Sequence, residues 1–304
     1  MTKMRVAVSG STGLVGAALV HELRATGHEV MRLVRPATRL RDAGDIAWDP
    51  DSGDIDKAAL EGTDAVVHLA GETISALRWT ADKRRRIRES RVRGTDVLAR
   101  AIAGLSRKPR VLVCAGATGY YGDRGDEILD DKSLPGRGFL PGVSLEWEAA
   151  TRPAAEAGIR VAIARLAPVI DARSPVVTRM RLPVMLGLGG WFGSGRHYWP
   201  WVALEDVVGV FVLALERETL SGPIVVAAPE AVTNRQFVKT MGVTLRRPVM
   251  LPVPAPILRA ALGDFAREAL LSSQRVVPRK LLDIGYDFRQ PHLEPALRAA
   301  IRSG

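Results

Sequence analysis

The glycine-rich turn near the start of the chain constrains the fold more than any other stretch. A short β-branched run, Arg5-Val-Ala-Val-Ser9, leads into three regularly spaced glycines, and an apolar amphipathic segment follows. In a strand–turn–helix unit, such glycines allow a tight turn, a close approach of backbone N–H groups to a pyrophosphate, and close packing of the helix on the strand. The sequence therefore predicts a dinucleotide-binding βα unit whose cofactor-binding residues are Gly10, Ser11, Thr12, Gly13, Leu14, Val15 and Gly16.

The spacing of these glycines departs from the common fingerprint. The turn reads G-x-x-G-x-x-G, whereas the usual dinucleotide motif reads G-x-G-x-x-G. Glycine also occurs in many turns that bind nothing. The position of this turn between a predicted strand and a predicted helix favours an anion site at the helix N-terminus over an ordinary βα turn.

Length and composition indicate an ordinary globular protein. The 304 residues can form one large domain or two modest ones, and 47% of them are apolar and 25% charged. No apolar stretch reaches the ~20 residues that cross a bilayer, and the early strand leaves no room for a signal peptide. The single cysteine, Cys114, excludes a disulfide framework and a cysteine metal cluster. We expect a cytoplasmic protein without a membrane partner and without a metal site.

The net charge of +10 raises the question of nucleic-acid binding. Such proteins concentrate basic residues on one face. The densest run, Lys83-Arg-Arg-Arg86, lies on a helix-like stretch that also contains Glu89, and the remaining basic residues are scattered. We therefore expect no nucleic-acid partner, because an anionic cofactor or substrate accounts for the charge equally well.

Apolar strand patterns alternate with helical patterns along most of the chain. The predicted strands after the first are 29–35, 63–71, 109–115, 160–166 and 223–228. This alternation predicts an α/β fold with a Rossmann-type doubly wound parallel sheet, which binds ligands at the carboxyl ends of its strands. The acidic, turn-rich segment 45–57 is predicted to be a surface excursion.

The last part of the chain has a different pattern, typical of a smaller, mainly helical C-terminal substrate or lid region. Helical patterns cover residues 257 to about 273 and 293–301. We predict a dinucleotide-binding domain over 1–230, with substrate-side insertions at about 172–204, and a small C-terminal domain over 240–304.

The ends of two predicted strands suggest which dinucleotide binds. A carboxylate at the end of the second strand would accept the ribose hydroxyls of NAD, whereas a guanidinium accommodates the 2′-phosphate of NADP. The chain has Arg35 there, which predicts NADP(H); a solvated strand-end arginine is the alternative. The next strand ends in Leu69, Ala70 and Gly71, small enough for a dinucleotide to pass closely. His68 is predicted to be a packed core histidine.

Several short motifs run through the rest of the chain. They are His68-Leu-Ala-Gly-Glu72, Arg78-Trp79, Ser90-Arg91, Gly94-Thr95, Gly119-Tyr-Tyr-Gly122, Glu146-Trp-Glu148, Leu271-Ser-Ser-Gln-Arg-Val-Val-Pro278 and Lys280-Leu281. Together with the glycine turn, they resemble an atypical, cell-division inhibitor-like branch of the NAD-dependent epimerase family within the extended short-chain dehydrogenase/reductases. The resemblance implies a small C-terminal domain of unknown role and NADP(H) binding, and it adds Glu72 and Arg78 to the cofactor-binding residues.

The chain departs from that resemblance where proton transfer is expected. The superfamily uses a tyrosine as acid/base, a lysine four residues later and a serine or threonine, but no tyrosine here is followed by lysine at that spacing. The corresponding positions hold Val143, Trp147 and Ala117, none of which can move a proton. Standard epimerase or ketoreductase chemistry is therefore in doubt.

Other residues near the expected cleft could donate a proton. The candidates are Tyr120, Tyr121 and Thr118, with water as a further source. The alternative is that the tyrosines cover the nicotinamide face or pack in the cleft wall. Glu146 and Glu148 are expected to be solvated helix residues.

Two functions remain open at this point. One is an NADP(H)-dependent oxidoreductase or epimerase-like enzyme whose small-molecule substrate lies between the sheet edge and the aromatic segment Trp191–Trp201. The other is a catalytically silent NADP(H)-binding sensor or regulatory protein that a protein partner reads through the C-terminal domain. The sequence does not fix the oligomeric state.

Overall fold

The computed structural model describes residues 3–35, 44–75 and 78–302. The strands are β1 (Arg5–Ser9), β2 (Glu29–Val34), β3 (Ile46–Asp49), β4 (Asp54–Ile55), β5 (Ala65–His68), β6 (Val111–Ala117), β7 (Ile128–Leu129), β8 (Arg160–Leu166), β9 (Val169–Ile170), β10 (Tyr198–Trp199), β11 (Val202–Ala203), β12 (Gly222–Val226), β13 (Val232–Thr233) and β14 (Arg275–Val276). The α-helices are α1 (Leu14–Ala25), α2 (Lys57–Leu60), α3 (Ala81–Ala103), α4 (Phe139–Ala149), α5 (Arg152–Glu156), α6 (Pro175–Met185), α7 (Leu204–Glu216), α8 (Asn234–Leu245), α9 (Ala255–Leu262), α10 (Arg279–Asp283) and α11 (Leu293–Arg302). A 3₁₀ turn covers Thr118–Tyr121 and a π-helical turn covers Ala266–Leu270.

The main sheet has eight strands in the order β12-β8-β6-β5-β1-β2-β3-β4. Its neighbours are parallel except for the antiparallel β3–β4 pair at one edge. The central strands β5 and β6 are buried almost throughout, as parallel strands covered on both faces should be. Helices α1 and α7 pack together with one apolar core, and α3 and α5 with another. The predicted α/β, Rossmann-type doubly wound sheet is confirmed.

The strand order reverses between β1 and β5, and this reversal positions the site. Strand β1 pairs with β2 on one side and with β5 on the other. Doubly wound sheets bind ligands in the crevice outside the carboxyl ends of the strands at such a switch point. The turn from β1 into α1 opens at this place.

Two local predictions need correction. The segment predicted as a surface excursion contains β3 and β4, and Ile46 and Trp48 are only 2% and 3% exposed. Acidic and turn residues on both sides hid this short alternation of apolar residues. The sequence pattern over 143–157 predicts a single helix, but the helical segment begins four residues earlier, at Phe139, and divides into α4 and α5, with Pro153 in the first turn of α5. Proline is favoured at a helix start but not in its interior.

A third apolar core lies in the C-terminal part of the chain. Helices α6, α8 and α11 contribute Val177, Phe237 and Leu297 to it. Asp131 joins this part to the main sheet, because its carboxylate accepts hydrogen bonds from Val225 N at 2.6 Å and from Lys280 N at 2.9 Å. Among the helices that the structure describes, none combines the length and the apolar composition needed to cross a membrane.

Candidate functional site

The glycine turn brings three backbone segments into contact. Gly10 has φ +67°, and a Cβ there would lie 2.7 Å from Leu69 C and from Ala70 N. A Cβ on Gly16 would lie 2.1 Å from the carbonyl oxygen of Gly10. The end of β1, the start of α1 and the end of β5 therefore meet without room for side chains, as the spacing predicted.

The N-terminus of α1 is free to hold an anion. Gly13 is its N-cap residue, no side chain caps the helix, and no acidic residue lies in its first turn. The N–H groups of Leu14 and Val15 have no acceptor within the helix, and the helix dipole adds partial positive charge there. Ser11 is buried and Thr12 is exposed beside this opening. The donors and the space fit a pyrophosphate group.

The other predicted cofactor residues lie at varying distances from this turn. Glu72 forms an ion pair with Lys83, which holds the pKa of its carboxyl below the usual value. Arg78 is exposed and donates from Nη2 to the carbonyl oxygen of Ala260 at 2.6 Å, so it joins α9 to the loop before α3. Arg35 is exposed directly after β2.

A cavity of about 500 Å³ adjoins the glycine turn. The start of α1, the segment 71–75 after β5, the residues after β6 and β8, and the C-terminal segment 265–274 line it. Leu14, Val15, Gly71 and Glu72 are part of its wall, whereas Arg78 is not. The cavity therefore lies where the carboxyl edge of the sheet faces the C-terminal region.

Only Thr118 of the three candidate proton donors lines this cavity. Tyr121 is fully buried, donates from its hydroxyl to Asp130 O at 2.7 Å and accepts from Arg165 Nη1 at 3.0 Å. Burial raises the pKa of Tyr121 far above its usual value. The guanidinium carbon of Arg165 lies 3.5 Å from the ring centroid of Tyr120. Both tyrosines thus belong to the apolar core, and neither lines the cavity.

The expectation that Glu148 is a solvated helix residue is wrong. Its carboxylate receives two hydrogen bonds from Arg165, one from Nε at 2.7 Å and one from Nη2 at 2.9 Å. The Arg165 residue is only 2% exposed, so this is a buried bidentate ion pair. A sequence signal existed, since Arg165 follows four consecutive apolar residues of β8. Glu146, by contrast, is half-exposed and pairs with Arg88 at 2.6 Å.

The positions where tyrosine, lysine and serine were expected all line the cavity. Val143, Trp147 and Ala117 form adjoining parts of its wall. The indole of Trp147 donates to Thr95 Oγ1 at 2.9 Å, and the guanidinium of Arg91 lies 5.1 Å from its ring centroid. This part of the wall therefore carries no side chain of an acid or base at those three positions.

The C-terminal signature supplies polar groups that the sequence did not assign to a site. Ser273 donates from its hydroxyl to Gly125 O at 2.6 Å and accepts from Tyr198 N at 3.0 Å, so it joins three loops. Its neighbours Ser272 and Gln274 line the cavity. Glu268, in the π-helical turn, also lines it and accepts hydrogen bonds from the N–H groups of Phe139 and Leu140 at the start of α4.

The structure places His68 in the core, as predicted. The residue is fully buried, and its Nδ1 lies 2.7 Å from the hydroxyl oxygen of Ser9. That oxygen also accepts from Leu69 N at 3.1 Å, so Ser9 and His68 connect the ends of β1 and β5. Burial lowers the pKa of His68 to about 4. The imidazole is therefore neutral at physiological pH and forms its hydrogen bond with Ser9 in that state.

This burial predicts a stability loss in acid. The unfolded chain binds a proton at His68 below about pH 6.5, whereas the folded chain does so only below about pH 4. The contribution of neutral His68 to the free energy of unfolding is therefore fully present above about pH 6.5. It falls by about 1.4 kcal/mol per pH unit as the pH decreases towards about 4. Urea unfolding between these pH values should show a shallower pH dependence in His68→Gln than in the wild type, with the exposed His21→Gln as control. An unchanged slope in His68→Gln would contradict the assignment.

No group of three or more metal-ligating side chains occurs among the described residues.

Comparisons with known proteins agree with a dinucleotide-binding fold. The NAD dependent epimerase/dehydratase family matches residues 6–228, and a domain of unknown function, DUF1731, matches residues 253–300. The epimerase family protein Mb2239 of Mycobacterium bovis is 39% identical over 297 residues, which cover 98% of this chain and 97% of that protein.

Two solved structures extend the comparison. Human epimerase family protein SDR39U1 (isoform 2), crystallised with NADPH, matches with a TM-score of 0.88 at 33% identity, over 98% of this chain and 99% of that chain. A nucleoside-diphosphate sugar epimerase from Corynebacterium glutamicum matches with a TM-score of 0.82 at 34% identity, over 99% of this chain and 58% of that longer chain. The resemblance inferred from the motifs is confirmed, and this chain belongs to the NAD dependent epimerase/dehydratase family.

Proposed function

We propose that this protein is an NADP(H)-binding oxidoreductase or epimerase-like enzyme that acts on a small substrate. The observation that carries the proposal is the continuity between the glycine turn and the cavity, since Leu14 and Val15 belong to both. A dinucleotide with its pyrophosphate at α1 would extend its nicotinamide into the cavity. The NADPH in the crystal structure of the human relative supports this choice of cofactor.

Different residues of the glycine turn and of its neighbours would bind different parts of the dinucleotide. The N-terminus of α1, from Gly13 to Val15, would hold the pyrophosphate, while Gly10 and Gly16 keep the three backbone segments close enough to form the cradle. The segment Leu69–Gly71 would pass along the dinucleotide at the end of β5. Arg35 would pair with the 2′-phosphate, which distinguishes NADP from NAD.

The wall of the cavity suggests how a carbonyl substrate would react. When bound, NADPH supplies a hydride to an electrophilic carbon. The Thr118 hydroxyl lines the cavity and would donate a hydrogen bond, then its proton, to the carbonyl oxygen, and water would replace that proton. Tyr120 and Tyr121 contribute rigidity to this wall, because Arg165 holds both rings.

A catalytically silent NADP(H) sensor is the second candidate. The observation that favours it is the apolar wall formed by Val143 and Trp147, where an acid/base pair would otherwise stand. A sensor needs the cofactor cradle and a C-terminal region that responds to its occupancy. Residues of that region, such as Glu268 and Gln274, do line the same cavity.

One titration and one screen separate these candidates. Tryptophan quenching measures the binding of NADPH and NADH, and absorbance then follows cofactor oxidation with carbonyl compounds and nucleotide sugars. Absence of binding to either cofactor would contradict both proposals. Tight NADPH binding that is the same in Thr118→Val, with no turnover of any substrate, would favour the sensor. Turnover that decreases in Thr118→Val would support the enzyme.

Cofactor preference should depend on Arg35. In Arg35→Asp we expect NADPH binding to weaken by about 10- to 100-fold, since a charge-assisted contact to the phosphate is lost and a repulsion is gained. NADH binding should change by less than about threefold. Quenching titrations of the variant measure both affinities, with the same charge change at the exposed Arg152 as control. An equal loss for the two cofactors would refute the specificity argument.

A further inference from the structure

We propose that the substrate of this cavity is an uncharged, mainly apolar molecule with a carbonyl or hydroxyl group, and that nucleotide sugars are not accepted. The inference rests on the proposed function, because it concerns the space beside the nicotinamide. It follows from a comparison between the charged groups that line the cavity and the hydrogen-bonding groups that remain free there.

Every charged side chain in the described part of the cavity wall already has a partner within the protein. These side chains are Glu72, Arg91 and Glu268. Glu72 pairs with Lys83, and the Glu268 carboxylate accepts from Phe139 N at 3.0 Å and Leu140 N at 2.7 Å. Both negative charges are thus compensated by donors from neighbouring elements.

Arg91 is the single cationic side chain in that wall, and it too is engaged. Its Nη1 donates to the carbonyl oxygens of Glu72 at 2.9 Å and Ile87 at 3.1 Å, and its guanidinium lies over the ring of Trp147. A diphosphate ligand could use Arg91 only by breaking these contacts. Burying two phosphate charges beside one engaged guanidinium is unfavourable, because desolvation of the charges is left without compensation.

The polar groups that remain available are neutral. The hydroxyls of Ser75, Thr118 and Ser144 line the cavity, and none of the three takes part in a hydrogen bond among the described residues. The amide of Gln274 has one long hydrogen bond, from Nε2 to Ser272 Oγ at 3.4 Å. Three hydroxyls and one amide can hold a carbonyl or hydroxyl oxygen, and they offer no charge to a carboxylate or phosphate.

Most of the remaining wall is apolar and comes from both parts of the chain. Ile74, Leu140 and Val143 lie on the sheet side, and Trp199 and Phe265 on the C-terminal side. Pockets that combine such walls with a few convergent polar groups bind apolar ligands and orient them by those groups. The cavity of about 500 Å³ must also hold the nicotinamide, so the space for the substrate is small.

A matched pair of probes tests the inference on the NADPH-saturated full chain. Acetophenone and benzoylformate share a phenyl ketone and differ in a methyl group against a carboxylate; UDP-glucose is the third probe. Saturation-transfer NMR with competition gives the affinities, and NADPH quenching on the same sample reports the cofactor site. We expect acetophenone to bind at least about tenfold more tightly than either anion.

Removal of the neutral groups should weaken the ketone specifically. Thr118→Val and Ser144→Ala should each lower the affinity for acetophenone by about threefold or more. NADPH quenching and thermal unfolding of both variants should stay close to those of the wild type. Ser106→Ala, at an exposed position, is the control. Three results obtained with NADPH still bound would overturn this inference alone. They are a preference for benzoylformate or UDP-glucose over acetophenone, no binding of acetophenone, and acetophenone binding that is unchanged in both variants. If the wild-type protein did not bind NADPH, the proposed function and this inference would be overturned together.

Discussion

Replacing Gly16 with alanine is expected to destabilise the protein by about 3 kcal/mol or more and to abolish tight NADPH binding. The new Cβ would stand 2.1 Å from the Gly10 carbonyl oxygen and 2.9 Å from Ser11 Cα. Both are backbone atoms, so no side-chain rotation relieves the clash, and the start of α1 must move away from β1. That movement separates the N–H groups of the proposed anion cradle.

Urea unfolding and NADPH quenching measure the two effects, and the chain offers a matched control. Gly142 lies in the interior of α4, and a Cβ there would meet nothing within 4 Å. Gly142→Ala should therefore be neutral or stabilising by up to about 1 kcal/mol, because alanine favours helix. If Gly16→Ala were as stable as Gly142→Ala and bound NADPH normally, the proposed geometry of the turn would be refuted.

The second large effect concerns the buried ion pair behind the cavity wall. Arg165→Met should reduce the free energy of unfolding by about 3–5 kcal/mol, since it leaves the Glu148 carboxylate buried without its counter-charge. It also removes the donor to the Tyr121 hydroxyl and the cation that covers the ring of Tyr120. The double variant Arg165→Met/Glu148→Leu should recover much of this loss, because no lone charge is then buried.

An exposed pair on α11 provides the control for this experiment. Arg298 Nη2 lies 2.5 Å from Glu294 Oε1, and both side chains are about half exposed. Arg298→Met should cost about 0.5 kcal/mol or less, because solvent screens such pairs. NADPH affinity should stay near the wild-type value in folded Arg165→Met, as neither partner of the buried pair lines the cavity. If Arg165→Met lowered the free energy of unfolding no more than Arg298→Met does, the stabilising role of the Arg165–Glu148 pair would be contradicted.

The parts of the fold that the sequence predicted well are those with local signals. The β1–α1 unit follows from glycine spacing next to an apolar run. The sequence from Thr80 to Gly104 has one long helical pattern, and α3 begins after Thr80, whose side chain accepts from Lys83 N, and ends before Gly104. Capping and periodicity act within a few residues, so they can be recognised without knowledge of the rest of the chain.

The parts that the sequence missed depend on long-range partners. β3 is a strand because β2 offers it a pairing edge, with Leu33 opposite Ile46. Glu148 is buried because Arg165, on a different element, faces it. The sequence could show an arginine within an apolar strand, but not which carboxylate would meet it.

The sequence by itself determined the glycine turn and the doubly wound sheet, because each depends on residue type at short spacing, and it contains no tyrosine followed by lysine four residues later. Only the tertiary structure decided which groups face the cavity. It placed Tyr120 and Tyr121 in the core beside Arg165, whose charge is compensated by Glu148. It left Thr118 beside the cavity and brought Gln274, 156 positions further along the chain, to the same space. Burial and charge compensation are properties of packed neighbours, and sequence spacing does not specify them.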